Sequence, residues 1–294
     1  MDIDAPAARS FLATHGRVLD RRRLERLLGH GGPTEVIAAL GAYRNHDGGY
    51  GWGLEPDLRA SESQPAAAMH ALEVLVEVAQ EVPDISEEAV ILCDWLDDRT
   101  LADGGLPFAL PIAQTAGCAP FWVQADPTVS SLQMTTQVVA NAHILARHLP
   151  MVAEHPWLAP ATAYCVDAIR QIDHRPHAYE LLFALRFLDA AGDTVTDAEG
   201  LDAHLGQYLP ADGPLPVEGG IDGEVLHPLD FAPAPGAVRD LFSNDVIEAD
   251  FERLARLQQA DGGWPVGFAS ASPAAALEWR GYATVSAVTI LRSR

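Results

Sequence analysis

The chain has 294 residues, 48% apolar and 20% charged, enough to bury a large core. Its 41 Asp and Glu against 19 basic residues leave a formal charge of −22, which repels phosphate backbones and anionic bilayers, so nucleic-acid and membrane-surface roles drop out. Every basic residue is arginine, which removes lysine Schiff bases, a P-loop lysine and a lysine general base.

Met1–Asp4 carry no basic n-region, and no run of about 18 apolar residues occurs. Cys93, Cys118 and Cys165 are isolated and lack C-x-x-C spacing. We therefore expect no signal peptide, no transmembrane segment, no disulfide framework, no metal or cofactor, and a cytoplasmic location.

In chain order, residues 6–29 read as a helical pair. Segment 33–45 follows as a helix with one apolar stripe, closed by the turn Asp47-Gly48-Gly49-Tyr50. Segment 64–80 is apolar nearly all round, with His70, Glu73 and Glu77 in one narrow line. The pattern repeats: a striped helix over 86–100, the turn Asp103-Gly104-Gly105-Leu106, and an apolar rod over 129–148. Striped 158–172 and apolar 177–190 lack the turn signature, and we place this weak unit near His155-Pro156-Trp157-Leu158. Striped 197–209 leads to Asp212-Gly213-Pro214-Leu215, then an irregular stretch over 210–243 rich in Gly and Pro. Striped 246–259, capped by Ser243 or Asn244, leads to Asp261-Gly262-Gly263-Trp264 and the apolar segment 277–292.

A helix apolar on most faces must be surrounded, so the striped helices are outer and the apolar ones inner. A recurring outer-turn-inner unit is an α/α hairpin repeat. The expected fold is all-α, an α/α toroid of five to six hairpins and about eleven helices. It forms a single domain over 1–294 with an irregular insertion at 210–243. Inner helices this apolar do not suit the wet concave face of an open solenoid, and the loops after the turns are long and aromatic, as at a barrel mouth.

The segment Gln258-Gln259-Ala260-Asp261-Gly262-Gly263-Trp264 matches the Q-x-x-x-G-x-W core of the repeat in squalene and oxidosqualene cyclases. The Gly-Gly-aromatic turn before a small-residue inner helix also resembles the protein prenyltransferase β subunit. Gly53–Arg59, Leu226–Asp230 and Glu278–Gly281 are similar to actinobacterial prenyltransferase-like proteins. The chain thus resembles the terpenoid cyclase and prenyltransferase α/α-toroid superfamily. The first turn has Arg44 in place of the Gln, and Leu replaces the aromatic in two copies. In that family the motif ties outer helices together, so the resemblance implies fold more than chemistry.

The catalytic motifs of the family are missing. Asp94-Trp95-Leu96-Asp97-Asp98 has one residue too many for D-x-D-D, which turns the first Asp by about 100° on a helix. Asp97-Asp98-Arg99-Thr100-Leu101 lacks the last acid of a magnesium-binding D-D-x-x-D. Asn244, Glu248 and Glu252 fit the wet face of an outer helix better than a metal motif. Cys165 lacks the context of a prenyltransferase zinc ligand. His70 and His143 lie on inner helices, where they could line a cavity; satisfied core histidines are the preferred reading.

Three polar clusters remain, all placed at the mouth: Glu55, Asp57 and Arg59; His227 and Asp230; Glu278 and Arg280. Asp57, Glu55, Glu278 and Asp230 are the expected acid catalysts, since a carboxyl beside apolar aromatics has a raised pKa. Trp52, Arg59, His227, Trp264, Trp279 and Arg280 are the expected substrate-binding residues. The expected partner is an apolar small molecule, an isoprenoid by resemblance, bound or cyclised in a central cavity. A glycan hydrolase or lyase with paired carboxylates, and a non-catalytic binding protein on the same fold, are the alternatives.

Overall fold

The computed structural model describes residues 3–82 and 85–294. It is mostly helical, with fourteen α-helices and one two-stranded sheet among the described residues. In chain order these are α1 (Ala5–His15), α2 (Val18–Leu27), α3 (Pro33–Leu40), α4 (Pro65–Val78), α5 (Ser86–Arg99) and α6 (Pro120–Val123). Next come α7 (Leu132–Ala146), α8 (Pro150–Ala153), α9 (Leu158–Arg170), α10 (Ala178–Ala191) and α11 (Ala198–Gly206). The strands β1 (Leu215–Pro216) and β2 (Val225–Leu226) precede α12 (Pro228–Phe231), α13 (Asn244–Arg256) and α14 (Pro273–Arg292). Three helices, α6, α8 and α12, are single turns, and the other eleven match the number expected from periodicity. No described helix is long and apolar enough to cross a membrane.

Burial separates the two helix classes. Eleven of the fourteen residues of α4 are buried, against five of fourteen in α5. The inner character of α4 comes from its small residues Ala66, Ala67, Ala68 and Ala71, which let neighbouring helices approach on several sides. Outer helix α13 buries Ile247, Asp250 and Phe251 and leaves Glu248 and Glu252 wet. Serines start three helices by accepting an amide of the first turn: Ser131 for α7, Ser243 for α13 and Ser272 for α14.

The chain divides into two compact units, Met1–Ala39 with Gly206–Arg294, and Leu40–Leu205. In the second, inner helices α4, α7 and α10 pack side by side, with α5 against α4 and α9 against α7. In the first, α14 packs along α2 and α1, and the core is Phe11, Leu12, Leu24, Trp264, Val285 and Val288.

The Asp-Gly turns are joints. In the turns at 47–50, 103–106 and 261–264 the first Gly has φ of +91°, +91° and +93°, where a side chain is strained. The Asp Oδ1 accepts the amide of the second Gly at 3.1 Å in each copy. The same oxygen accepts the Ser63 hydroxyl in the first turn and the Ser130 hydroxyl in the second; in the last, Arg280 takes that place. Each joint also packs on the outer helix of the next hairpin. A Cβ on Gly48 would meet Ile91 of α5, one on Gly104 would meet Pro160 of α9, and one on Gly213 would meet Val246 of α13. On Gly262 it would meet Ala7 of α1, so the final turn uses the N-terminal helix as its next neighbour. Gln258 seals that joint by donating to the Asp4 carbonyl and accepting the Asp4 amide, both at 2.9 Å.

Two details sharpen the expected order. The unsigned turn of the weak unit lies at 171–177, between α9 and α10, while 155–158 begins the outer helix, where Trp157 Nε1 donates to Thr100 Oγ1. Residues 107–131 lie between the second turn and α7 and lengthen that unit. The 210–243 stretch holds a small hairpin, in which Leu215 pairs with Leu226, and the one-turn helix α12, in place of an inner helix.

Candidate functional site

The second unit brings together a buried ionisable cluster that the sequence presents as two separate features. After the first turn the chain makes a tight loop over 51–63. Trp52 sits at φ +57°, held there by its amide on the Ala60 carbonyl (2.8 Å) and its Nε1 on Asn45 Oδ1 (2.7 Å). This winding turns Glu55 inward, where one carboxylate oxygen accepts the Asp57 amide at 3.0 Å. The other lies 3.0 Å from Nε2 of His70, on the first turns of α4. Nδ1 of the same ring lies 2.8 Å from Glu73, one helical turn on. Both Glu55 and His70 side chains are 5% exposed, and Glu73 19%.

Burial opposes a charge on His70, but the Glu73 and Glu55 carboxylates outweigh it and raise its pKa to about 9. The imidazole is therefore protonated at neutral pH, with an acceptor on each nitrogen. Two carboxylates thus flank one imidazolium in the interior. Buried ionisable groups with displaced pKa values collect at working sites.

Over this loop lies the insertion 107–131. The Ala119 amide donates to the Asp57 carbonyl at 2.8 Å, and the Gln64 side chain pairs with both backbone groups of Leu110. The stem of Arg59, itself exposed, covers Gly117. Phe108 stacks on Trp122 at 4.5 Å, and Phe121 tilts against the same indole. Phe121, Val123, Val129 and Trp52 are exposed, giving these adjoining loops an apolar surface. Trp122 is buried, and its Nε1 meets no acceptor among the described residues.

The remaining predicted site residues have structural partners in the first unit. Asp230 is the N3 residue of α12 and accepts the His227 amide at 2.7 Å, a reciprocal cap. Burial, and then the Arg253 charge, hold the His227 pKa below its usual value; Asp250, which accepts the Leu229 amide, pulls it the other way. Trp264 is 1% exposed in the core, its Nε1 donating to the Leu254 carbonyl. Arg280 spans Gln259 and Asp261 through Nη2 and sits 4.4 Å over the Phe11 ring. Trp279 lies edge-on between Phe268 and Tyr282, and Glu278 precedes it on the half-buried side of α14. The joint thus accounts for Trp264 and Arg280, and the cap for Asp230, without a ligand.

Of the other groups set aside above, His143 bonds Thr162 at 2.8 Å and is held near 4 by burial and by Arg147. Burial pushes the Cys93 thiol up to about 12 and that of Cys165 higher still. Among the described residues no group of three or more His, Cys, Asp or Glu could hold a metal ion.

Asp202 of α11 was not singled out by its sequence context. It is buried, and its Oδ1 has no hydrogen-bond partner among the described residues. Burial, helped by the Asp189 carboxylate, raises its pKa to about 6. A carboxyl whose folded pKa lies above its ordinary 3.8 destabilises the fold above that window and costs nothing when protonated in both states. Asp202→Asn is therefore expected to raise stability at pH 7.5 by about 2–3 kcal/mol. In urea melts, the gain should shrink as the pH falls from about 6 to below 4; a gain independent of pH would remove the titration as its cause.

No protein-family model matches the chain, and no curated protein matches it.

Proposed function

We propose that the chain is an α/α toroid of the terpenoid cyclase and prenyltransferase type that binds and processes an isoprenoid. Its ionisable centre is Glu55–His70–Glu73. The single observation that carries the reading is the buried imidazolium on inner helix α4, set under loops whose outer surface is aromatic and apolar. The alternation of buried and half-wet helices, and the packing of the last turn on α1, support the closed ring.

The chemistry follows from the acid strength. Protonating an unactivated alkene demands a strong acid, and an imidazolium of pKa about 9 is a weak one. Both ring N–H groups are engaged, so its proton passes through Glu55 or Glu73 to an oxygen that gains charge during reaction, such as a departing or newly formed oxyanion. Glu55 holds the ring through Nε2 and Glu73 through Nδ1, so loss of either leaves a misoriented donor. The substrate class that matches is an oxygenated isoprenoid, with its chain against the apolar loops and its oxygen at the cluster.

The test uses geranylgeraniol as the probe, together with solvent extraction of freshly purified protein and mass spectrometry. Saturable binding by the wild type is expected, and Phe121→Asp is expected to weaken it by about tenfold through loss of one large apolar contact. Recovery of no isoprenoid and no saturable binding of geranylgeraniol would overturn the reading. Binding that is unchanged in both Glu55→Gln and His70→Gln, with no conversion by the wild type, would leave the ring as a carrier without chemistry.

A further inference from the structure

A second site lies in the first unit, and it shares no residue with the Glu55–His70–Glu73 centre or the loops over it. After the last turn the chain loops out over 265–272 before α14 begins. Between this loop and the first turns of α14 is a groove of about 530 Å³, within the range that holds small molecules. Pro265, Val266, Phe268 and Ala276 give it apolar walls, and Ser270 and Arg280 are polar members of its lining.

Charge is the telling feature. The chain has 41 acids and 19 bases, yet this groove is lined by one arginine and no carboxylate. Arg280 is anchored, its Nη2 on Gln259 and Asp261 and its Nε reaching the Trp264 carbonyl at 3.4 Å. Its Nη1 bonds none of the described residues. Asp261, the acid nearest it, is 42% exposed, so solvent screens its charge. The Ser270 hydroxyl is buried from solvent and meets no partner among the described residues. A buried hydroxyl without a partner is costly, and a ligand acceptor would relieve it.

We propose that this groove binds a small carboxylate with an apolar body. The carboxylate takes the unspent Nη1 hydrogens of Arg280, a charge-assisted contact, and the Ser270 hydroxyl, brought to the groove by a χ1 rotation. The body lies along Val266, Phe268 and Ala276. The site does not hold a bare inorganic anion, because its walls are apolar, or a neutral chain, because its donors would stay unmet.

Titration calorimetry with octanoate, octanol and inorganic phosphate tests this on the whole protein. Octanoate is expected to bind saturably, and octanol and phosphate each at least about tenfold more weakly. Arg280→Gln should weaken octanoate by about the same factor. Because Arg280 also holds the turn, Ala276→Trp provides the independent arm: it fills the groove from α14 without touching the joint and should abolish octanoate binding while the circular dichroism melt is retained. Equal affinity for octanol and octanoate, tighter binding of phosphate, no saturable octanoate binding, or unchanged binding in a folded Ala276→Trp would each overturn the proposal.

Discussion

His70→Leu is expected to destabilise the protein by about 3–5 kcal/mol, since it leaves two inward carboxylates without their shared cation. The leucine fills most of the imidazole volume, so the loss reports charge and hydrogen bonding more than a cavity. Glu55 would keep its bond to the Asp57 amide, but nothing else described replaces the ring at its second oxygen. Adding Glu55→Gln and Glu73→Gln removes both carboxylate charges that the imidazolium had faced and should return much of the loss. Urea denaturation at pH 7 measures each variant, and a His70→Leu cost below about 1 kcal/mol would mean that the cluster is already solvated.

The same cluster predicts a pH dependence with a definite sign. The folded pKa of His70, about 9, lies above its ordinary 6.5, so the folded state holds the proton more tightly. Its contribution is fully present below pH 6.5 and is lost as pH rises through about 9. The loss amounts to about 3 kcal/mol across that window. His70→Leu should flatten the decline, and a wild-type stability that is level between pH 6.5 and 9.5 would count against the protonated ring.

The second large effect concerns the last joint. Gly262→Ala should cost more than about 4 kcal/mol or prevent folding. The residue sits at φ +93°, and a Cβ there would lie 2.2 Å from the Ala7 carbonyl oxygen. Left-handed strain alone accounts for about 1–2 kcal/mol, and relieving the overlap requires moving α1 off the joint. Moving α1 also breaks the paired bonds between Gln258 and Asp4. Gly219 is the control, with φ +75° and open space around its Cβ position, and Gly219→Ala should cost only about 1 kcal/mol. Thermal melts of the two variants decide the matter: equal shifts would show that the joint has slack.

The helices were legible because their two burial classes leave different traces. Residues 64–80 lack a wet stripe, and 246–259 have one, so inner and outer positions follow from periodicity alone. The function of single polar residues was less legible, because a side chain in contact with its own backbone looks like one in contact with a ligand. Asp230 stands three residues after His227, the spacing of a helix cap, and that is the role it fills. Glu55 was visible as a loop acid and His70 as a polar break in an apolar helix. Their meeting depends on the winding of 51–63 around a left-handed Trp52, which no spacing rule announces. Asp202 gave no signal at all, since an acid in a short outer helix is ordinary until its surroundings are known.

The placement of each joint on the following outer helix has a consequence for how the protein comes apart. A hairpin here is incomplete by itself: the second Gly of its turn abuts Trp95 in one case and Phe11 in another, side chains that belong to a different hairpin. Opening one hairpin therefore strips the seal from its neighbour, and stability within each unit belongs to the contacts between repeats more than to the repeats. Partial unfolding that leaves a row of intact hairpins is disfavoured, and amides of α4, α7 and α10 should exchange with solvent together, as one cooperative block.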